Sequence, residues 1–202
     1  MSQHNFKWTA ILVLALVALL AAACGGTAPS ATNNAAAVIL SQTISTADKT
    51  LTVKYPEGWT ATDLGAALQL NNAVALPSDP TGALPAGLLM AQVMAVPADG
   101  LTTLGAAENA SLSDILNLVS GSTAGSGVTM DKPVEFENNG KKAALATGTV
   151  ELAGNKAEMA VVLVKVGEGY VLVTWTGAEG EVAKNDAIIR AVAGSIETAA
   201  AG

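Results

Sequence analysis

"VEFENNGKKAALATGTVELAGNKAEMAVVLVKVGEGYVLVTWT", residues 134–176, is four strand-forming runs separated by three turn signals. Residues 134–137 lead through Asn138-Asn139-Gly140 into 142–152, Ala153-Gly154-Asn155 turns into 157–166, and Gly167-Glu168-Gly169 turns into 170–176. Asn-Gly favours a hairpin, and connections this short join only antiparallel neighbours. The stretch is therefore expected to be an antiparallel meander. Its inner strands carry Val161-Val162-Leu163-Val164 and Val171-Leu172-Val173, apolar at successive positions and so on both faces. Layers must cover both sides of the sheet.

Two helices are the expected covers. Leu112, Ile115, Leu116 and Val119 share one helical face, Ser111 with Asp114 three residues on resembles a capping box, and Gly121 stops the run. Residues 182–193 put Ile188, Ile189 and Val192 on one side, with Gly194 as the stop. Upstream, residues 51–55, 66–76 and 88–96 read as strands, the last two separated by a Pro-rich loop at 77–82. Tyr55-Pro56-Glu57-Gly58 has the proline and glycine placing of a type I turn, and Trp59 follows at once. The expected fold class is α+β: an antiparallel sheet of about six strands flanked by helices, an α/β/α sandwich.

The first 37 residues read differently. Residues 1–23 are a short polar start with Lys7, then the apolar run 10–23, which is too short for a stable span of roughly 20 residues and has the layout of an export signal. Ala21-Ala22-Ala23-Cys24 resembles the bacterial lipobox, departing from it at the first place, where Ala21 stands for a leucine-like residue. That resemblance implies removal of the leader and a diacylglyceryl group on Cys24, with an N-acyl chain as a further option; no other cofactor is expected. Each buried methylene of such chains contributes about 0.8 kcal/mol, so two or more chains hold firmly. Residues 24–37 are small and polar without periodicity, a tether, and 38–202 are the folded domain. The expected location is the cell membrane or outer membrane, lipid-anchored and facing away from the cytoplasm.

Composition narrows the chemistry. With 10 Lys plus Arg against 17 Asp plus Glu, a net charge of −7 argues against a nucleic-acid partner. Cys24 is the single cysteine and His4, in the leader, the single histidine, so neither a disulfide, a thiolate zinc site nor a His-activated nucleophile can form in the mature chain. No catalytic or metal-ligating residues are expected.

The order of an extended start, a Tyr-Pro-x-x-Trp turn, strands, a helix, a meander and a terminal helix resembles the PsbP-like family across about residues 38–198. The residues carrying the resemblance are Tyr55, Pro56, Gly58 and Trp59, the strand 170–175 and the closing helix through 191–196. The family includes photosynthetic accessory subunits, bacterial lipoproteins and lipid-associated secreted proteins. It brings no catalytic residues, and its link to metal retention has no histidine in the mature chain to rest on.

Three functions compete. A membrane-anchored, non-enzymatic binding or assembly module with a protein partner in the envelope fits the anchor, the tether and the lack of a reactive constellation. A carrier of an apolar or lipid ligand is the alternative, because Met90 and Met94 lie in a Leu-rich stretch with Leu84, Leu88, Leu89, Leu101 and Leu104. Trp59 joins Met90 and Met94 as a candidate ligand contact, with packing on the end of the core as its plainer role. A hydrolase would use Glu135 and Glu137, two apart on one strand and so on one face. Asn109-Ala110-Ser111 fits a glycosylation sequon but is read as a helix cap, and "GSTAGSG" at 121–127 as a loop, because it neither follows a strand nor opens a helix.

Overall fold

The computed structural model describes residues 38–72, 74–75, 83–96, 100–101, 105–107, 109–122, 127–152 and 154–199. In chain order these form β1 (Gln42–Ser45), β2 (Leu51–Tyr55), β3 (Thr60–Asp63), β4 (Ala67–Asn71), β5 (Leu89–Val96), α1 (Leu112–Ser122), β6 (Val128–Met130), β7 (Val134–Asn138), β8 (Lys141–Leu152), β9 (Asn155–Val166), β10 (Gly169–Gly177), α2 (Glu181–Lys184), α3 (Asp186–Ser195) and β11 (Glu197–Thr198). The leader, the tether and Cys24 lie outside the described residues, as do all of the 77–82 loop and most of "GSTAGSG". The described residues cluster as one unit.

The meander is present as β7 to β10. Asn139 and Gly140 take φ of 50° and 73°, the left-handed pair of a two-residue hairpin, and Asn138 pairs with Lys141 across it. β8 pairs antiparallel with β9 from Ala143↔Val164 to Leu152↔Asn155, and β9 with β10 from Gly177↔Glu158 to Gly169↔Val166. These strands sit inside a larger antiparallel sheet of order β3-β4-β5-β10-β9-β8-β6, with β7 also pairing along β8. Asp131 follows β6 and ties back to the same edge, its N–H donating to the Thr147 carbonyl at 2.7 Å.

Three expectations about the layers and strands need correction. The large sheet has eight strands rather than about six, and a second sheet of order β1-β2-β11 stands beside it. The run expected at 66–76 is a strand only over Ala67–Asn71, where β4 pairs with β5, and β3 precedes it as a separate edge strand. The α/β/α description holds on one side only. There α1 covers the sheet through Ile115 and Leu116, which pack with Ala144, Ala146, Val161 and Leu163. The opposite face, with Leu68, Leu70, Val93, Val162, Val173 and Trp175, is covered by Leu51 and Val53 of β2 together with Val182 of α2 and Ile189 and Val192 of α3. Helix and small sheet share that layer, so the fold is mainly antiparallel β.

The turn before Trp59 is shifted by one residue. The Trp59 N–H donates to the Pro56 carbonyl at 3.4 Å and Gly58 has φ of 81°, which makes Gly58 the third residue of a type II turn rather than the fourth of a type I turn. The α1 cap forms as expected: the Ser111 hydroxyl oxygen accepts the Asp114 N–H at 3.1 Å, and the hydroxyl donates to the Asp114 carboxylate at 2.7 Å.

α3 is held at its C-terminal end by the β7–β8 hairpin. The Asn138 amide donates to the Arg190 carbonyl at 2.8 Å, and the Lys141 ammonium donates at 3.0 Å to the Gly194 carbonyl, one of those that a helix end leaves open. Arg190 lies over the Phe136 ring at 4.6 Å while pairing with Asp186 at 2.8 Å.

Candidate binding surfaces

Strand alternation sends the even-numbered residues of β5 away from the core that its odd-numbered residues join. Leu89, Ala91 and Val93 are buried with Trp175, whereas Met90 and Gln92 line an open cavity of about 220 Å³ together with Leu64, Gln69, Thr174 and Thr176. The register makes this face a set of cross-strand rungs. Gln69, Gln92 and Thr174 form one, Asn71, Met90 and Thr176 the next, and Ala67, Met94 and Leu172 a third on the other side of the first. Met94 is 40% exposed and Leu64 53%.

Of the sequence candidates, Met90 therefore lines the cavity and Met94 lies one rung beyond the glutamines. Trp59 is not brought to them. It packs on the opposite side of the sheet, its ring edge-on to buried Trp175 at a centroid distance of 6.1 Å. Of the leucines in that stretch, Leu88, Leu89 and Leu101 are buried in the interior.

Sequence reading passed over Gln69, Asn71, Gln92, Thr174 and Thr176. Their signal was nevertheless present as period-two alternation: Leu68 and Leu70 interleave Gln69 and Asn71, and Val173 and Trp175 interleave Thr174 and Thr176. The side chains of Gln69, Gln92, Thr174 and Thr176 have no hydrogen-bond partner among the described residues. Asn71 Oδ1 is buried and also without one. Among the described residues no ionisable side chain lines this cavity.

A second cavity, of about 280 Å³, lies between the β6–β8–β9 surface and the α2–α3 pair. Its lining includes Asp131, Glu158 and Asp186, but each of these carboxylates is already engaged. Asp131 accepts the Thr147 hydroxyl at 3.0 Å, Glu158 accepts the Val182 N–H at 3.0 Å, and Asp186 pairs with Arg190. This groove reads as a structural seam. Among the described residues no three His, Cys, Asp or Glu side chains gather as a metal site.

The proposed carboxylate pair is separated by role. Glu135 Oε1 accepts both the N–H and the hydroxyl of Ser113, at 3.1 and 3.0 Å, so it serves as a second cap on α1 from a neighbouring strand. Glu137 stands in register with Lys142.

No family model and no curated protein matches the chain. Among solved structures it is similar to a Bacteroides thetaiotaomicron protein determined by crystallography at 1.50 Å, with 12% identity and a TM-score of 0.50 over 80% of this chain and 50% of that one. It is also similar to cyanobacterial PsbP (CyanoP) from Synechocystis sp. PCC 6803, with 16% identity and a TM-score of 0.48 over 78% of this chain and 92% of that one. A third likeness is to LpqN, involved in cell envelope biogenesis of Mycobacterium tuberculosis, with 11% identity and a TM-score of 0.47 over 74% and 83%. The chain spans half the length of the Bacteroides protein, and these likenesses concern fold alone. Chemistry has to be read from the side chains.

Proposed function

We propose that the chain is a lipid-anchored module on the extracytoplasmic face of a bacterial membrane that binds an envelope component without catalysing a reaction. The observation that carries the binding reading is the contrast between the two cavities. Where carboxylates gather they are consumed by internal contacts, and where polar side chains stand free they are neutral amides and hydroxyls, suited to recognition and not to proton transfer or nucleophilic attack. The anchor rests on Ala21-Ala22-Ala23-Cys24, the apolar run before it and the small-residue tether after it.

The cavity also weighs against the carrier alternative. At about 220 Å³ it is below the roughly 300–1,000 Å³ of typical small-molecule pockets, and four of its seven lining residues carry an amide or hydroxyl. An acyl chain would strip those groups of water and offer nothing in return.

Metabolic labelling with an alkyne fatty acid tests the anchor. The wild-type chain should take up label and fractionate with membranes, and Cys24→Ser should do neither. A Cys24→Ser chain that is processed and stays as firmly membrane-bound as wild type would refute the anchoring.

A further inference from the structure

We infer that the face around Gln69, Gln92 and Met90 is a binding site for an uncharged saccharide unit, either free or as part of an envelope glycan. This inference rests on the binding-module reading above and names its ligand class. Five polar side chains stand in two neighbouring rungs, Gln69–Gln92–Thr174 and Asn71–Thr176, the second interrupted by Met90. Every one of them both donates and accepts hydrogen bonds, as a sugar hydroxyl does. An amide or hydroxyl can therefore meet a hydroxyl in either sense, whereas carboxylates or ammonium groups would select a charged partner.

Three further features agree. Among the described residues the cavity is lined by no ionisable group although the whole chain carries −7, so they offer a charged ligand no compensation for leaving water. Met90 lies among the amides and Leu64 overhangs them from the β3–β4 turn, providing methyl and methylene surface for the C–H faces of a pyranose ring. The site is on a sheet face, where the ladders of β4, β5 and β10 already use the backbone, so recognition falls to side chains and an added β-strand has no edge to join.

The test uses the full chain in lipid nanodiscs with ¹³C-methyl methionine, following the Met90 and Met94 signals. Probes are the methyl glycosides of glucose, galactose, mannose and N-acetylglucosamine, with sodium glucuronate as a charged comparator and the matching trisaccharides as the glycan arm. At least one neutral glycoside should shift Met90 saturably, glucuronate should not, and Gln92→Leu should weaken the response tenfold or more while the unfolding midpoint stays that of wild type. Tighter binding of a trisaccharide than of its monomer assigns the source to a glycan chain; equal binding assigns it to the free sugar. Absence of any shift up to the solubility of all neutral probes overturns the inference, and so does an equal response to glucuronate or to hexanediol. Lipid labelling at Cys24 is scored on the same preparation, so failure of the sugar site is distinguishable from failure of the anchoring.

Discussion

Gly148→Ala would strike at the point where β6 meets β8. Gly148 pairs with Met130, and a Cβ added there would meet the Thr129 carbonyl oxygen far inside contact distance, Met130 Sδ at 2.7 Å and Met130 Cα at 2.9 Å. Ordinary contacts begin at 3.4 Å, and two of the three atoms are backbone, so β6 as a whole must move. Overpacking of this kind costs about 1–3 kcal/mol, and the backbone obstruction puts the expected value near the upper end. With a urea slope of about 1–3 kcal/mol/M, the midpoint should fall by roughly 1 M. Local exchange locates the damage. The Asp131 N–H bonded to Thr147 and the Glu151 N–H bonded to the Gly127 carbonyl bracket β6 and should lose protection, while amides in β9 should change only with global stability. Gly121→Ala is the control, since a Cβ there meets nothing within 4 Å, and in a helix it should be neutral or stabilise by up to about 1 kcal/mol. A Gly148→Ala protein with an unchanged midpoint and protected Asp131 and Glu151 amides would refute the close approach of the two strands.

Ser111→Ala removes the α1 cap and should cost about 1 kcal/mol in urea unfolding, with the Asp114 amide exchanging faster. Asn138→Ala removes the bond to the Arg190 carbonyl and leaves a gap against Gly194, for a loss of about 1–2 kcal/mol that thermal unfolding would register. Hydrogen bonds from the Thr46 hydroxyl and then from Thr50 hold the Asp48 carboxyl below its ordinary 3.8. A depressed folded-state pKa gives stability that is present above the unfolded value and lost as pH falls through the folded one, so Asp48→Asn should be the less stable protein at pH near 7 and the difference should shrink at acid pH. Urea midpoints of both proteins across the acid range check this, and a gap that widens on acidification would contradict it.

How much of this was legible depended on whether the signal was local. Asn139-Gly140 and the turns after 152 and 166 announce their own geometry, and β8, β9 and β10 carry enough consecutive Val, Ala and Leu to stand out. β1, β3 and β11 read QTIS, TATD and ET: short, polar and with little burial of their own, so nothing in their composition separates them from loop. β11 is a strand only because β2 is there to pair with it, across about three quarters of the chain. The covering layers were misassigned for the same reason, since Leu51 and Val53 reveal an apolar face but not which sheet it serves. At the site, apolar content drew attention to Met90 and Met94 while the informative residues were the polar ones between them. Recognising Gln69, Gln92 and Thr174 as neighbours requires the pairing of three strands, which no single stretch of sequence encodes.

β2 is flanked by β1 on one side and β11 on the other, and Ala199 donates to the Thr50 carbonyl just beyond the last pair. The place where the chain enters the described fold and the place where it leaves are thus two strand widths apart, about 10 Å, plus the offset of a few residues along β2. A linker of roughly six extended residues would span that distance, so a circularly permuted protein, joined there and reopened at Gly154, should keep its sheets. Such a rearrangement would move the chain ends from the small sheet to the β8–β9 tip, so that an attachment made through an end could be placed at either of two points relative to the glutamine face.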